Sequence, residues 1–207
     1  MKLIETCNEA LEDLKKRYSE PHRYYHTLDH IAWMQEGAAQ VSHLLAHPIA
    51  IDFAIWYHDA VYNTRKKDNE LRSADLFLAH HGRYLSEFYQ GYVVDLILAT
   101  IDHRIPRHKS SDFNNDCALF LDLDLMSLGF PWEKFIKNSN DIRKEYSHVP
   151  DVDFDGGRAK ILTKFLERDP MYFSPYFQNY YGEKAIKNLK RSIEELTGTK
   201  PDIYRWI

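Results

Sequence analysis

At 207 residues, 44% of them hydrophobic and 28% charged, the chain is long enough for one domain with a substantial core and has the balance of an ordinary globular protein. Its net charge of −4, with no long basic stripe, argues against a nucleic-acid polymer as partner, although a small phosphorylated ligand needs only a few local cations. Cys7 and Cys117 lack paired spacing for disulfides or a thiolate zinc site, Glu5 and Glu9 stand where a signal peptide would be apolar, and no run approaches a membrane span, so a cytoplasmic protein is expected.

Residues 2–18 place Leu3, Cys7, Ala10, Leu11 and Leu14 on one stripe, which predicts an amphipathic helix closed by Pro21. A second helix is expected from Thr27 to about Leu45, with Leu28, Ile31, Met34, Ala38, Val41 and Leu45 inward. Pro48 opens a third over roughly 49–60, a favoured place for proline. Beyond the polar connection 63–68, helices are expected near 69–80 and 85–100, and the polar stretch 104–115 reads as a surface loop. A helix over 116–128 would end at Gly129 as its C-cap, and Pro131 would start another to about Tyr146. Val149 to Gly157 reads as loop, with the last helices at 158–167 and 182–197. Eight to ten helices without a convincing period-2 strand predict a single all-α domain over 1–207; the alternative near 170–181 is a short β-hairpin.

The chemistry concentrates at His58-Asp59, at the end of the apolar run Ile55-Trp56-Tyr57, where an uncompensated charge is costly and a metal ion is an economical partner. Upstream, His26 and His30 stand four residues apart and share a face if both are helical. Downstream, Asp122 and Asp124 lie in the apolar stretch Phe120 to Met126, where two carboxylates would repel unless one faces water or both serve a cation.

In this order of residues the chain resembles the HD superfamily of metal-dependent phosphohydrolases, whose pattern is His, then His-Asp, then a distant Asp on an all-α scaffold. Tyr25-His26-Thr27-Leu28-Asp29-His30 is similar to the Tyr-His-Asn-x-x-His of the cyclic-nucleotide phosphodiesterase branch, with Thr27 in place of Asn. Asp124-Leu125-Met126-Ser127 is similar to that branch's Ala-Asp-Leu-Ser with one extra residue, which favours Asp124 over Asp122. The chain also looks like a bacterial group of predicted HD phosphohydrolases without an assigned substrate. That likeness runs through Tyr25 to His30, Trp56 to Tyr62, Asn69 to Ala74, Ala99 to His103, Asp122 to Gly129, Arg143 to Tyr146, Gly157-Arg158 and Ala185 to Leu189.

The resemblance implies hydrolysis at phosphorus by metal-activated water. His30, His58, Asp59 and Asp124 would hold a divalent ion (Mn, Mg, Fe, Ni, Co or Zn). His26 would protonate the leaving oxygen, Asp59 and Glu70 complete the catalytic set, and Glu70 is a candidate for second-shell or second-metal work. Arg143 and Arg158 are candidate phosphate clamps, with His103 a further contact to substrate or a second metal. The substrate would be a small phosphorylated compound, a nucleotide or related phosphoester, and by the charge and hydropathy arguments above no nucleic-acid polymer and no membrane is expected as partner. A cyclic- or dinucleotide phosphodiesterase and a nucleotide-binding regulatory module without turnover are the alternatives.

Each assignment has a plainer reading. His58-Asp59 could be a helix-end ion pair, His26 a packed histidine, Glu70 an early-turn carboxylate, and Arg143 a surface charge. Arg158, near an expected helix start, is disfavoured there by the dipole and so has less structural excuse. His22, His80 and His81 read as exposed, and His103 and His108 border a basic loop. The aromatics Tyr172, Phe173, Tyr176, Phe177, Tyr180 and Tyr181 could stack a base, but more often pack on the core or on a second subunit, as in a homodimer. Tyr204 to Ile207 reads as a docking tail.

Overall fold

The computed structural model describes residues 2–107 and 109–199, with side chains from residue 8 onward, and among these every regular element is helical. The docking-tail reading of Tyr204 to Ile207, the side chains of the stripe positions Leu3 and Cys7, and His108 lie outside what is described. Contacts divide the chain into two compact units, Met1–Leu123 and Asp124–Ile207, the cut falling inside the last turn of one continuous helix. No helix among the described residues is long and apolar enough to cross a membrane.

The first unit holds α1 (Lys2–Tyr18), α2 (Leu28–Gln40), α3 (Pro48–Tyr57), α4 (Asn69–His81), α5 (Glu87–Ala99) and most of α6 (Ser111–Leu125). Helix α3 starts on Pro48 and is apolar nearly all round, the pattern of a helix enclosed on several sides. It packs against α2, α4 and α5, and Ala50, Ile51, Ala54, Ile55 and Tyr57 are buried. Ser86 caps α5 by accepting from the Tyr89 N–H.

Two expectations for this unit are corrected. Helix α2 stops at Gln40, because the chain beyond it bonds outward: a 3-10 turn spans Ser42–Leu44, and Asp116 accepts the Ala46 and His47 N–H groups. The stretch expected as loop to residue 115 is helical from Ser111. Ser110 accepts the Phe113 N–H and Asp112 sits in the first turn, so the polar composition there is that of a capped helix start.

The second unit holds the 3-10 turn Met126–Gly129, α7 (Trp132–Glu145), α8 (Asp151–Leu166), the single turn α9 (Pro175–Phe177), a π-helical turn Gln178–Gly182, and α10 (Glu183–Thr197). Helix α10 packs on α8 and on the Met126–Gly129 turn. Asn188 fastens that turn by donating to the Leu128 and Phe130 carbonyls. Gly129 is needed for closeness rather than for a left-handed cap: a Cβ there would meet Tyr181 Cβ and its carbonyl at 2.7 Å. The left-handed cap glycine is Gly198, after α10.

Here also two expectations change. Residues 151–157 are the first turns of α8, with Asp151 and Asp153 placed favourably at its start and both glycines accommodated in the helix. Residues 175–182 are helical turns, which removes the β-hairpin alternative. Tyr172 and Phe177 are buried, and the Tyr172 hydroxyl donates to the Leu125 carbonyl at 3.1 Å, so this part of the aromatic run belongs to the core; Tyr180 is exposed.

Candidate metal centre

His58 caps the C-terminus of α3, where its backbone N–H still bonds the Ala54 carbonyl and its ring is 1% exposed. Its Nδ1 lies 3.0 Å from the Ile55 carbonyl. A carbonyl only accepts, so Nδ1 carries a proton, and in a neutral ring Nε2 would then present its lone pair. That Nε2 faces His30 Nε2 at 3.3 Å, with His30 buried on the first turn of α2. His30, His58 and Asp124 each offer a donor atom within 4.8 Å of the others.

Asp124 comes from the last turn of α6. Asp122, two residues back, stands about 200° from Asp124 around the helix, and it is Asp124 that groups with the histidines. Asp122 is buried elsewhere on α6, and the Phe120 ring packs edge-on against His58.

Asp59 follows His58 in the turn after α3, and its Oδ2 lies 3.1 Å from His58 Nε2 and 3.8 Å from His26 Nε2. The two neighbours thus aim at one region, because helical geometry ends at His58. His26 corrects the expectation of a shared helix face. Thr27 is extended and α2 begins at Leu28, so His26 lies on the loop before the helix. Its ring instead sits 4.2 Å from the Tyr62 ring and 6.1 Å from that of His30.

The remaining sequence candidates are not members of the three-residue group. Glu70 is half-buried in the first turn of α4. His103 is half-buried in the turn after α5 with φ 51°, a left-handed conformation that few non-glycine residues adopt. Arg143 donates to the Tyr146 and Val149 carbonyls and to Asp151, and covers the Phe154 ring, so it fastens the connection between α7 and α8. Arg158 lies two turns inside α8 rather than at its start, which removes the dipole argument made for it.

Two groups escaped sequence reasoning. Arg23 is buried and bonds the carbonyls of His26, Asp59 and Ala60; its one sequence signal is a cation three residues ahead of His26 among aromatic rings. His81, expected at the surface, is 5% exposed. Its Nε2 and the Nδ1 of half-buried His80 both lie 2.8 Å from the Tyr57 hydroxyl, which satisfies them away from water. Burial pushes the His81 imidazole down to about 4, and nearby His80 adds to the effect. Burial also pushes the Cys117 thiol up to about 12, which leaves it an inert core residue rather than a nucleophile.

No protein-family model matches this chain, and no curated protein and no solved structure is significantly similar to it.

Proposed function

We propose that the chain hydrolyses a small phosphoester, a nucleotide or related phosphorylated compound, at a divalent-metal site formed by His30, His58, Asp59 and Asp124. One observation carries the reading: two buried imidazoles oppose their Nε2 atoms at 3.3 Å with an aspartate in the same group. The Ile55 carbonyl on His58 Nδ1 supports it further, since a ligating histidine characteristically donates its other N–H to such an acceptor. Imidazole with carboxylate suits Mn, Mg, Fe, Ni, Co or Zn. When bound, such an ion supplies Lewis acidity that lowers the pKa of water and offsets charge on phosphoryl oxygens.

The chain's own residues do the rest. Asp59 and Asp124 contribute the negative charge that a divalent ion requires. His26, 3.8 Å from Asp59, is assigned the proton that the leaving oxygen takes up, held on Nε2 and steadied by the carboxylate. The Tyr62 ring against His26 limits how far that imidazole can turn.

The test is metal content of the purified protein by atomic emission, followed by phosphate release from a nucleotide panel with Mn²⁺ added. Near-stoichiometric metal with turnover of one compound supports the hydrolase. Metal and nucleotide binding without turnover would replace it with a regulatory module, and cleavage confined to cyclic or dinucleotide substrates with a phosphodiesterase. Failure to take up any metal would refute the site.

A further inference from the structure

The Arg23 side chain is fully enclosed, and its donors are committed around the candidate centre. Nη1 donates to the His26 carbonyl at 3.2 Å and the Asp59 carbonyl at 2.8 Å, and Nη2 to the Ala60 carbonyl at 3.0 Å. Nε donates to Glu20 Oε2 at 3.1 Å, while the Tyr18 and Tyr62 rings stand 5.0 and 5.4 Å from the guanidinium. Tyr62 is the same ring that packs on His26.

An arginine serving the fold alone could satisfy any nearby carbonyls. All three here belong to His26, to Asp59 or to the residue after Asp59. Two of them follow α3, where helical bonding has ended and carbonyls need outside donors. We propose that Arg23 is a positioning residue for the metal centre: it locks the turn bearing Asp59 to the loop bearing His26 and so fixes how both meet the ion. This rests on the metal-site reading above. A guanidinium spans these carbonyls because its five N–H groups form a rigid planar fork, whereas a lysine ammonium keeps the charge and loses the span.

The experiment measures Mn²⁺ affinity of the full chain by calorimetry, with amide hydrogen exchange over residues 24–27 and 58–62 on the same samples. Arg23→Lys is expected to weaken Mn²⁺ binding roughly 10- to 100-fold, as loss of a residue supporting metal ligands does, and to speed exchange in both segments while helical circular dichroism is unchanged. Glu20→Gln removes only the carboxylate on Nε, at a half-exposed position, and should move both readouts less in the same direction. Mn²⁺ binding at full strength in both variants overturns the inference even if exchange quickens, since Arg23 would then hold the loop without bearing on the ion. No Mn²⁺ uptake by the unmodified chain overturns the metal reading itself, and this inference with it.

Discussion

Asp116 on α6 accepts a hydrogen bond at 2.8 Å from the backbone N–H of His47, the residue before α3. The same buried carboxylate accepts from the Ala46 N–H and from the Tyr92 hydroxyl on α5. Burial, helped by this bond, pushes the Tyr92 phenol well above its ordinary range. Helices α3 and α6 end in His58 and in the turn of Asp124, so Asp116 fixes the starting point of one helix of the candidate centre against the body of the other. Asp116→Ala would leave two N–H groups and a phenol without their acceptor, at a cost on the order of 3 kcal/mol. Urea unfolding of this variant should show that loss, with Asp116→Asn milder; a change within error would mean water replaces the carboxylate freely.

His30→Ala, His58→Ala and Asp124→Ala should each lose metal by more than the roughly 10- to 100-fold expected for outer-shell changes. Asp122→Asn should retain it, because Asp122 stands about 200° around α6 from Asp124. Metal retained in the Asp124 variant and lost in the Asp122 variant would show that the helical phase of α6 has been misassigned.

His26→Ala should keep its metal and lose rate by roughly 10²- to 10⁴-fold on substrates with poor leaving groups, the usual contribution of a proton donor. Activated esters, which need no proton on departure, should lose much less. An equal loss on both classes would remove the proton-donor role.

His81 makes stability depend on pH. Its folded pKa, about 4, lies below the ordinary 6.5, so the folded protein keeps it neutral where the unfolded chain binds a proton. The stability this secures is complete above pH 6.5 and is lost as pH falls from there towards 4. At about 1.4 kcal/mol per pKa unit, the loss by pH 4 is on the order of 3 kcal/mol. Urea midpoints taken from pH 7 to 4.5 in metal-free buffer should fall more steeply for the unmodified chain than for His81→Gln. Parallel curves would show that His81 is not the group responsible.

Much of the helical order is legible in the sequence because its punctuation is local: Pro48 and Pro131 sit at helix starts, and apolar spacing runs through α1, α2 and α10. The failures occur where polar residues carry a helix. Ser110 caps what reads as loop, and Gly156-Gly157 lies inside α8. For the candidate centre, His30 and His58 stand out by residue type and order, Asp124 is preferred over Asp122 only through the resemblance to the phosphodiesterase motif, and the structure groups Asp124 with the two histidines. Arg23 could not be, since it acts on backbone carbonyls, which leave no side-chain pattern. His81 looks polar and therefore exposed until the Tyr57 phenol, 24 residues earlier, is seen to accept it into the interior.

The paired glycines of α8 have a consequence for how the chain meets a protease. Gly156 and Gly157 each weaken the helix by about 0.5–1 kcal/mol relative to alanine, and Asp151, Val152 and Asp153 ahead of them are exposed. What fastens this stretch is Arg143, reaching across from α7 to Asp151 and over the Phe154 ring. Cleavage requires several residues to leave the helix together, and here few buried contacts oppose it. The first nick in the second unit should therefore fall within residues 151–157, leaving Ala159 and Leu162 seated in the core beyond the cut.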